Sequence, residues 1–158
     1  MTTAITDNRY MEFRLGGQLY AIPLLTVKEV IQKPEVTLVP NMPVHFEGMM
    51  NLRGQILGVF NVRKKLSAKA RDKDDTYQEV VVVIEQMGVN VGMIVDEVTR
   101  VLHAQEDMIR PAPLKEDDPA RAFIGSVIQT GDDLVLTVNV GQLLDLAKYK
   151  TIQHQPAA

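Results

Sequence analysis

The sequence contains no cysteine and no tryptophan, and phenylalanine and tyrosine together supply only 5% of its residues. Without thiols the fold is held by neither disulfides nor thiolate metal sites, and no cysteine nucleophile is present, which suits a reducing compartment. The scarcity of aromatic rings argues against a groove that reads polyproline peptides, because such rings line those grooves. Serine is scarce too. Ser67 lies in a charged stretch and Ser126 in an apolar run, and neither sits in a nucleophile elbow. The three histidines, His45, His103 and His154, stand far apart with no paired ligand spacing, and no glycine run has the form of a phosphate-cradling loop. The expectation is therefore no catalytic residue, no metal and no cofactor. No apolar run approaches the ~18 residues of a membrane span, and the start, MTTAITDNRY, lacks the features of a secretory signal. A cytoplasmic protein without membrane insertion is expected. With 17 basic and 20 acidic residues the net charge is −3, which argues against nucleic acid as the main partner.

What is present is a chain of 158 residues, 46% hydrophobic, able to bury a sizeable core in one domain or in two small fused barrels. After a polar arm, Met11, Phe13 and Leu15 share a strand face, Gly16-Gly17 turns, and residues 19–22 return as the second strand of a hairpin. Pro23 stops that strand, and the spacing of Leu24, Val27, Val30 and Ile31 predicts one face of a short helix. Residues 36–39 read as a short strand, and Asn41-Met42-Pro43 as punctuation before Phe46, an anchor for the loop. The basic residues Arg63, Lys64, Lys65, Lys69, Arg71 and Lys73 run into Asp72, Asp74 and Asp75 with no interleaved aromatics, so this stretch reads as a solvated, mobile linker.

Val80-Val81-Val82-Val83-Ile84 has no polar alternation and predicts a strand at the centre of the fold, buried on both faces. Met87-Gly88 turns the chain, residues 89–95 run back with a bulge or sharp coil at Gly92, and residues 98–102 follow as another strand. Arg110-Pro111-Ala112-Pro113 cannot join a sheet interior, because two prolines remove two donors, so it belongs to a surface loop or an edge. Glu116-Asp117-Asp118 lacks the alternating ligands of a calcium loop and reads as solvated. Residues 123–129 and 134–138 form a last hairpin around Gly131-Asp132. Asn139 caps a helix with Val140, Leu143, Leu144 and Ala147 on one face, and the tail from Lys150 frays.

The stretch GMMNLRGQILGVFNVR, residues 48–63, is the part the rest is organised around. Residues 48–52 and 55–62 read as extended, and the Arg53-Gly54 step between them supplies a residue that tolerates φ > 0, which places an arginine at a hairpin tip. By itself such an arginine reads as a solvated turn residue. The hairpin nevertheless resembles the signature of the CheW-like family, adaptors that couple chemoreceptors to the chemotaxis histidine kinase. Asn51, Leu52, Arg53, Gly54, Ile56, Val59 and Arg63 match the signature. Gly58 stands where the family usually has proline, and Asn61 where it usually has aspartate. The similarity runs from about Tyr10 to about Leu146 and includes Ile109-Arg110-Pro111-Ala112-Pro113.

The resemblance implies an all-β fold of two five-stranded SH3-like barrels with short helices, one domain over residues 8–150, and flexible ends at 1–7 and 151–158. It implies a non-catalytic adaptor binding the cytoplasmic tip of a methyl-accepting chemoreceptor and the regulatory domain of the chemotaxis histidine kinase, and in array rings other CheW-like domains. Localisation would be cytoplasmic, at arrays under the inner face of the membrane. Val27, Glu29, Val30, Arg53 and Val101 fall at receptor-facing positions, and Asn51, Arg53, Arg110 and Leu114 at kinase-facing ones, although Leu114-Lys115 differ from the family's usual acidic and aromatic pair. Two other readings stand beside this one: an adaptor of the same family serving a non-flagellar array, and a small-ligand protein using the cleft between the barrels. A deep pocket with converging polar groups would favour the last; a shallow aliphatic groove favours the adaptor.

Overall fold

Extended backbone dominates the computed structural model of the protein, which describes residues 8–42, 45–63, 65–66 and 78–153. Strands β1 (Arg9–Leu15) and β2 (Gln18–Pro23) form the first hairpin, and a 3-10 turn, Leu24–Thr26, leads to β3 (Val27–Gln32). Next come β4 (Phe46–Leu52), β5 (Gln55–Asn61), β6 (Val80–Gln86), β7 (Val89–Val95) and β8 (Glu97–His103). A 3-10 turn, Glu106–Met108, precedes β9 (Ile109–Pro111), and another, Pro119–Ala122, precedes β10 (Ile124–Thr130) and β11 (Asp133–Val138). Two short helices, α1 (Val140–Leu143) and α2 (Leu146–Gln153), close the described chain.

The strands make two sheets, ordered β3-β6-β7-β5-β4 and β8-β1-β2-β11-β10-β9. The chain begins in the second sheet, builds all of the first, and returns. Thr37 and Met49 exchange backbone hydrogen bonds of 2.8 Å in both directions, which joins the chain after β3 to β4 and closes the five-stranded sheet on itself. The other sheet counts six strands because the three residues of β9 pair with β10 at its edge, Pro111 opposite Ser126. That is the edge position the two prolines required.

Each sheet has its own small core. Met50, Leu57, Val59, Val81, Val83 and Ile94 fill the first, and Ala21, Leu102, Ala104, Ile128 and Val135 the second. The largest cluster lies between them, drawing Phe13, Leu15 and Ile22 from one sheet and Phe60, Val82, Ile84 and Met93 from the other. β6 explains itself in these terms: Val82 and Ile84 belong to the shared core while Val81 and Val83 belong to the first barrel, so neither face is wet.

Several expectations are corrected here. The segment with Leu24, Val27, Val30 and Ile31 is a 3-10 turn and a strand rather than a helix. Residues 36–39 make a single bridge at Thr37 instead of a strand. Gly92 carries no bulge, since β6 and β7 pair in register throughout; a Cβ there would lie 2.6 Å from Val81 Cγ1, and close packing is what excludes a side chain. The C-terminal helix breaks at Asp145, whose φ is 51°, so Leu146 and Tyr149 turn inward and Ala147 is exposed. The second helix runs to Gln153, beyond the predicted fraying point at Lys150. Asn139 does cap, accepting from Gln142 N. The predicted arm at 1–7, the tail from His154, Pro43, Lys64 and the linker at 67–77 lie outside the described residues.

Candidate functional site

The β4–β5 hairpin ends in a two-residue turn with Leu52 opposite Gln55, and both central residues have positive φ, Arg53 at 50° and Gly54 at 86°. That is the geometry of a type I′ turn, which favours Asn-Gly; an arginine at its first position is strained. Asn51 Oδ1 steadies the turn by accepting from Gly54 N at 2.9 Å. Arg53 then reaches across to β3 and holds Glu29 with two hydrogen bonds, Nη2 to Oε1 and Nη1 to Oε2, the latter 3.3 Å. The Arg53 side chain is 73% exposed and that of Glu29 29%. An ion pair so wetted adds about 0–1 kcal/mol to stability, too little to account for a strained turn.

A bulge at Lys28 decides which way β3 points its side chains. Val27 pairs with Ile84 and Glu29 with Val83, so one extra residue of β3 lies between them. Val27 and Val30 consequently share the face of Ile84 and Val82, turned toward the inter-barrel core, and Glu29 shares the opposite face with Ile31, Val81 and Val83. Val27 is half-buried, and Val30 is exposed. Lys28 is held to Glu85 at 2.6 Å. On the outermost strand of the other sheet, Val101 pairs with Met11, a residue of the shared core, and remains 47% exposed. Three of the predicted apolar contacts thus lie on core-side faces of edge strands. Ile56, 53% exposed on the β5 arm, joins them as an apolar residue beside the turn.

The remaining predicted residues lie elsewhere. Arg110 is exposed on β9, opposite Val127, at the far edge of the six-stranded sheet from Val101. Leu114 is half-buried against the shared core, and its carbonyl accepts from Arg121 Nη1 at 3.2 Å. The structure therefore unites Glu29 and Arg53, with Asn51 behind them, sets Val101 and Arg110 on the other sheet, and places Leu114 in the loop after β9.

Arg63, the last residue matching the signature, has a different environment. Its guanidinium binds Asp96, which is 2% exposed, through both nitrogens, and lies 3.6 Å from Glu79. Asp96 Oδ2 also accepts from Gly16 N at 2.9 Å, at the β1–β2 turn. The ion pair lies just beyond the Asn61–Ile94 pair of β5 and β7, and the contacts of Asp96 with Gly16 N and Arg14 O carry the link on to the second sheet. Of the two departures from the signature, Asn61 accepts from Arg63 N at 3.2 Å through its side-chain oxygen, a role that amide and carboxylate share. Gly58 makes room for Tyr149: a Cβ there would collide with the Tyr149 hydroxyl and lie 2.8 Å from Phe46 Cε2. Burial pushes the Tyr149 phenol pKa above its ordinary value, partly offset by a hydrogen bond with the Gly58 backbone, and burial alone raises that of Tyr20.

The mouth of the first barrel is a cleft of 280 Å³ lined by Lys28, Glu29, Leu52, Arg53, Gln55, Val83 and Asn90. Asn90 was not legible as a site residue, and Ile56 only as a match to the signature. The signal for Asn90 is a lone amide in an otherwise apolar strand, Val-Asn-Val-Gly-Met-Ile-Val. A wider cleft of 490 Å³ lies on the six-stranded sheet alone, around Glu12, Thr99, Arg100 and Asp133. There the buried Glu12 accepts from Arg100 Nε at 2.8 Å and Thr99 Oγ1 at 2.9 Å, so these groups pair with one another instead of converging on a ligand. Among the described residues, the space between the barrels is filled mainly by the shared core, and the 240 Å³ cleft at its side, with Tyr10, Thr26, Gln86, Val138 and Asn139 in its lining, mixes apolar and polar groups. Ser126 bonds Thr137 through its hydroxyl at 2.8 Å on neighbouring strands, while Ser67 and His154 lie outside the described residues. Among the described residues, no helix is long and apolar enough to cross a membrane, and no three His, Cys, Asp or Glu side chains cluster as metal ligands.

Residues 9–148 match the family model described as "CheW-like domain". The chain is 30% identical over 136 residues to the chemotaxis protein CheW of Klebsiella aerogenes, covering 85% of this chain and 80% of that one. It is 27% identical over 146 residues to the chemotaxis protein CheW of Bacillus subtilis, covering 92% of each. Protein PilI of Pseudomonas aeruginosa is 32% identical over a shorter span, 95 residues, which is 60% of this chain and 52% of that protein. The crystal structure of the scaffolding protein TtCheW from Thermoanaerobacter tengcongensis superposes with a TM-score of 0.72 at 28% identity, covering 85% of this chain and 90% of that one. The two sheets are accordingly SH3-like barrels. On its sequence, its fold and the matched hairpin, the chain belongs to the CheW-like domain family.

Proposed function

We propose that this protein is a non-catalytic chemotaxis adaptor that couples methyl-accepting chemoreceptors to the chemotaxis histidine kinase, working in the cytoplasm at receptor arrays. Residues 8–150 act as one domain of two barrel subdomains. The observation that carries this reading is the strained, exposed Arg53 bound to Glu29, on a protein similar along most of its length to chemotaxis CheW proteins. Backbone strain at a residue whose ion pair adds little stability points to a role in recognition. The function is positional: the adaptor fixes the geometry of receptor and kinase so that a change in one biases the other, a coupling of about 1–3 kcal/mol.

Val27, Val30 and Val101 supply apolar contact for the receptor's helical hairpin tip, as aliphatic side chains do in helix-in-groove recognition. Glu29 and Arg53 set the position of β3 and the hairpin. Asn51, Arg53, Arg110 and Leu114 face the kinase regulatory domain, with Asn51 acting through the turn it steadies. In a reconstituted mixture of receptor fragment, kinase and adaptor, Val30→Asp is expected to weaken receptor binding at least about tenfold with kinase binding intact. Equal losses to both partners would indicate misfolding and sink the assignment. The similarity to PilI keeps a second output in view, an array controlling another kind of motility; the receptor and kinase that co-purify from a native lysate distinguish the two.

A further inference from the structure

Among the described residues, one buried side-chain polar atom has no hydrogen-bond partner in the protein: Asn90 Oδ1. Buried polar atoms are nearly always satisfied, because leaving one unpaired forfeits its hydration with nothing in return. Asn90 is therefore out of place on stability grounds alone. On β7 it alternates with Val89 and Val91, which face the shared core, so it faces the first barrel with Gly92 and Ile94. It is the last residue on that face before the Met87-Gly88 turn, and it lines the same mouth as Glu29, Arg53 and Gln55. The lining combines two apolar residues, Leu52 and Val83, with five polar or charged ones. At 280 Å³ it is below the size of sites that enclose small organic ligands, and it fits one or two side chains of another polypeptide.

We infer that Asn90 is a specificity-determining residue of the Arg53–Glu29 mouth: its amide accepts a hydrogen bond from an amide or hydroxyl side chain that the receptor tip inserts there. This rests on the adaptor reading above. The receptor is the occupant because β3 presents both the mouth and the apolar pair: Glu29 lines the cleft from one face of the strand, and Val27 and Val30 stand on the other. A segment lying along the outer edge of β3, the terminal strand of its sheet, reaches both. A donor suits the cleft better than a carboxylate, because Glu29 already satisfies Arg53 and an orphan oxygen repels a second acceptor. Turning the amide about its last torsion, which is broad, would bring Oδ1 to the cleft and set Nδ2 in its place.

The test compares Asn90→Leu with Asn90→Asp in the full-length chain, reading receptor-fragment binding, kinase binding and urea unfolding. Asn90→Leu removes the orphan oxygen at similar volume, so the unfolding midpoint is expected to stay or rise while receptor affinity falls about tenfold and kinase affinity holds. Asn90→Asp keeps an acceptor and is expected to stay within about threefold of wild type. Wild-type receptor binding by Asn90→Leu, equal losses in both variants, a loss confined to the kinase, or a fall in the midpoint that tracks the binding loss would each overturn the inference. Arg53→Ala, run alongside, separates the two claims. If it loses receptor coupling while Asn90→Leu does not, only the assignment of Asn90 fails; if Arg53→Ala keeps coupling, the adaptor site itself fails.

Discussion

Arg53 and Arg63 stand beyond opposite ends of strand β5, and each binds a carboxylate with two nitrogens, yet they do different work. The Arg63 side chain is 14% exposed and its partner Asp96 2%, whereas Arg53 is 73% exposed and Glu29 29%. Burial separates the roles. In the interior, taking away one member strands a charge without water, so the pair is obligatory once present even where its net contribution is small. At the surface, water replaces either partner, so the pair is dispensable to folding and free to be used by another protein. Arg63 balances the carboxylate at the junction of the two sheets; Arg53 offers a poised charge to whatever meets the hairpin.

The largest effect that would break this comparison comes from Arg63→Ala, expected to cost about 3–5 kcal/mol in urea unfolding because Asp96 keeps its buried charge without the arginine that balances it. Arg63→Met with Asp96→Leu should recover much of that loss; a loss of less than about 1 kcal/mol from Arg63→Ala would put Arg63 in the same class as Arg53. Next in size is Gly58→Ala, expected to cost about 1–3 kcal/mol in the same assay, since the new methyl group meets Tyr149 and Phe46. A smaller effect sharpens the contrast between turns. Met87 has φ 57° ahead of Gly88 at 74°, the same arrangement as Arg53 and Gly54, on a turn with no assigned role. Met87→Asn should stabilise by about 0.5–1 kcal/mol and leave receptor-dependent kinase activation unchanged.

A further effect is on pH dependence. Tyr20 and Tyr149 titrate above their ordinary value of 10.0 when folded, so the unfolded chain releases its protons first. Stability from these groups is flat below about pH 10 and falls as pH rises from there through the folded-state values, by at most about 1.4 kcal/mol per pH unit per tyrosine. Unfolding curves at pH 8 to 11 that stay level above pH 10 would contradict that burial.

The sequence showed some features clearly and hid others for a physical reason. β6, the paired hairpins, the edge position of Pro111 and the Asn139 cap follow from local chemistry: an all-apolar run, φ-permissive turns, a missing donor, a side-chain acceptor. β3 did not follow. Its apolar residues recur at a spacing of three because a bulge at Lys28 returns Val30 to the face of Val27, and a bulge imitates helical periodicity on a strand this short. The break at Asp145 was hidden likewise, a single positive φ that reassigns the inward face from Ala147 to Leu146 and Tyr149. In the site, Arg53 was legible from the signature and Glu29 from its place in the family. That the two touch across sheet edges, and that Asn90 completes the mouth, is set by tertiary pairing that no local pattern encodes.

The central claim is that Arg53 is held in an unfavourable turn for recognition and not for folding. Arg53→Asn tests it most directly, because asparagine suits the turn and removes only the charge and reach. The measurement is receptor-dependent kinase activation by a variant whose urea midpoint has been shown to match or exceed that of the parent. Lost activation with an intact or raised midpoint is the predicted result; full activation would make Arg53 an ordinary turn residue and contradict the account.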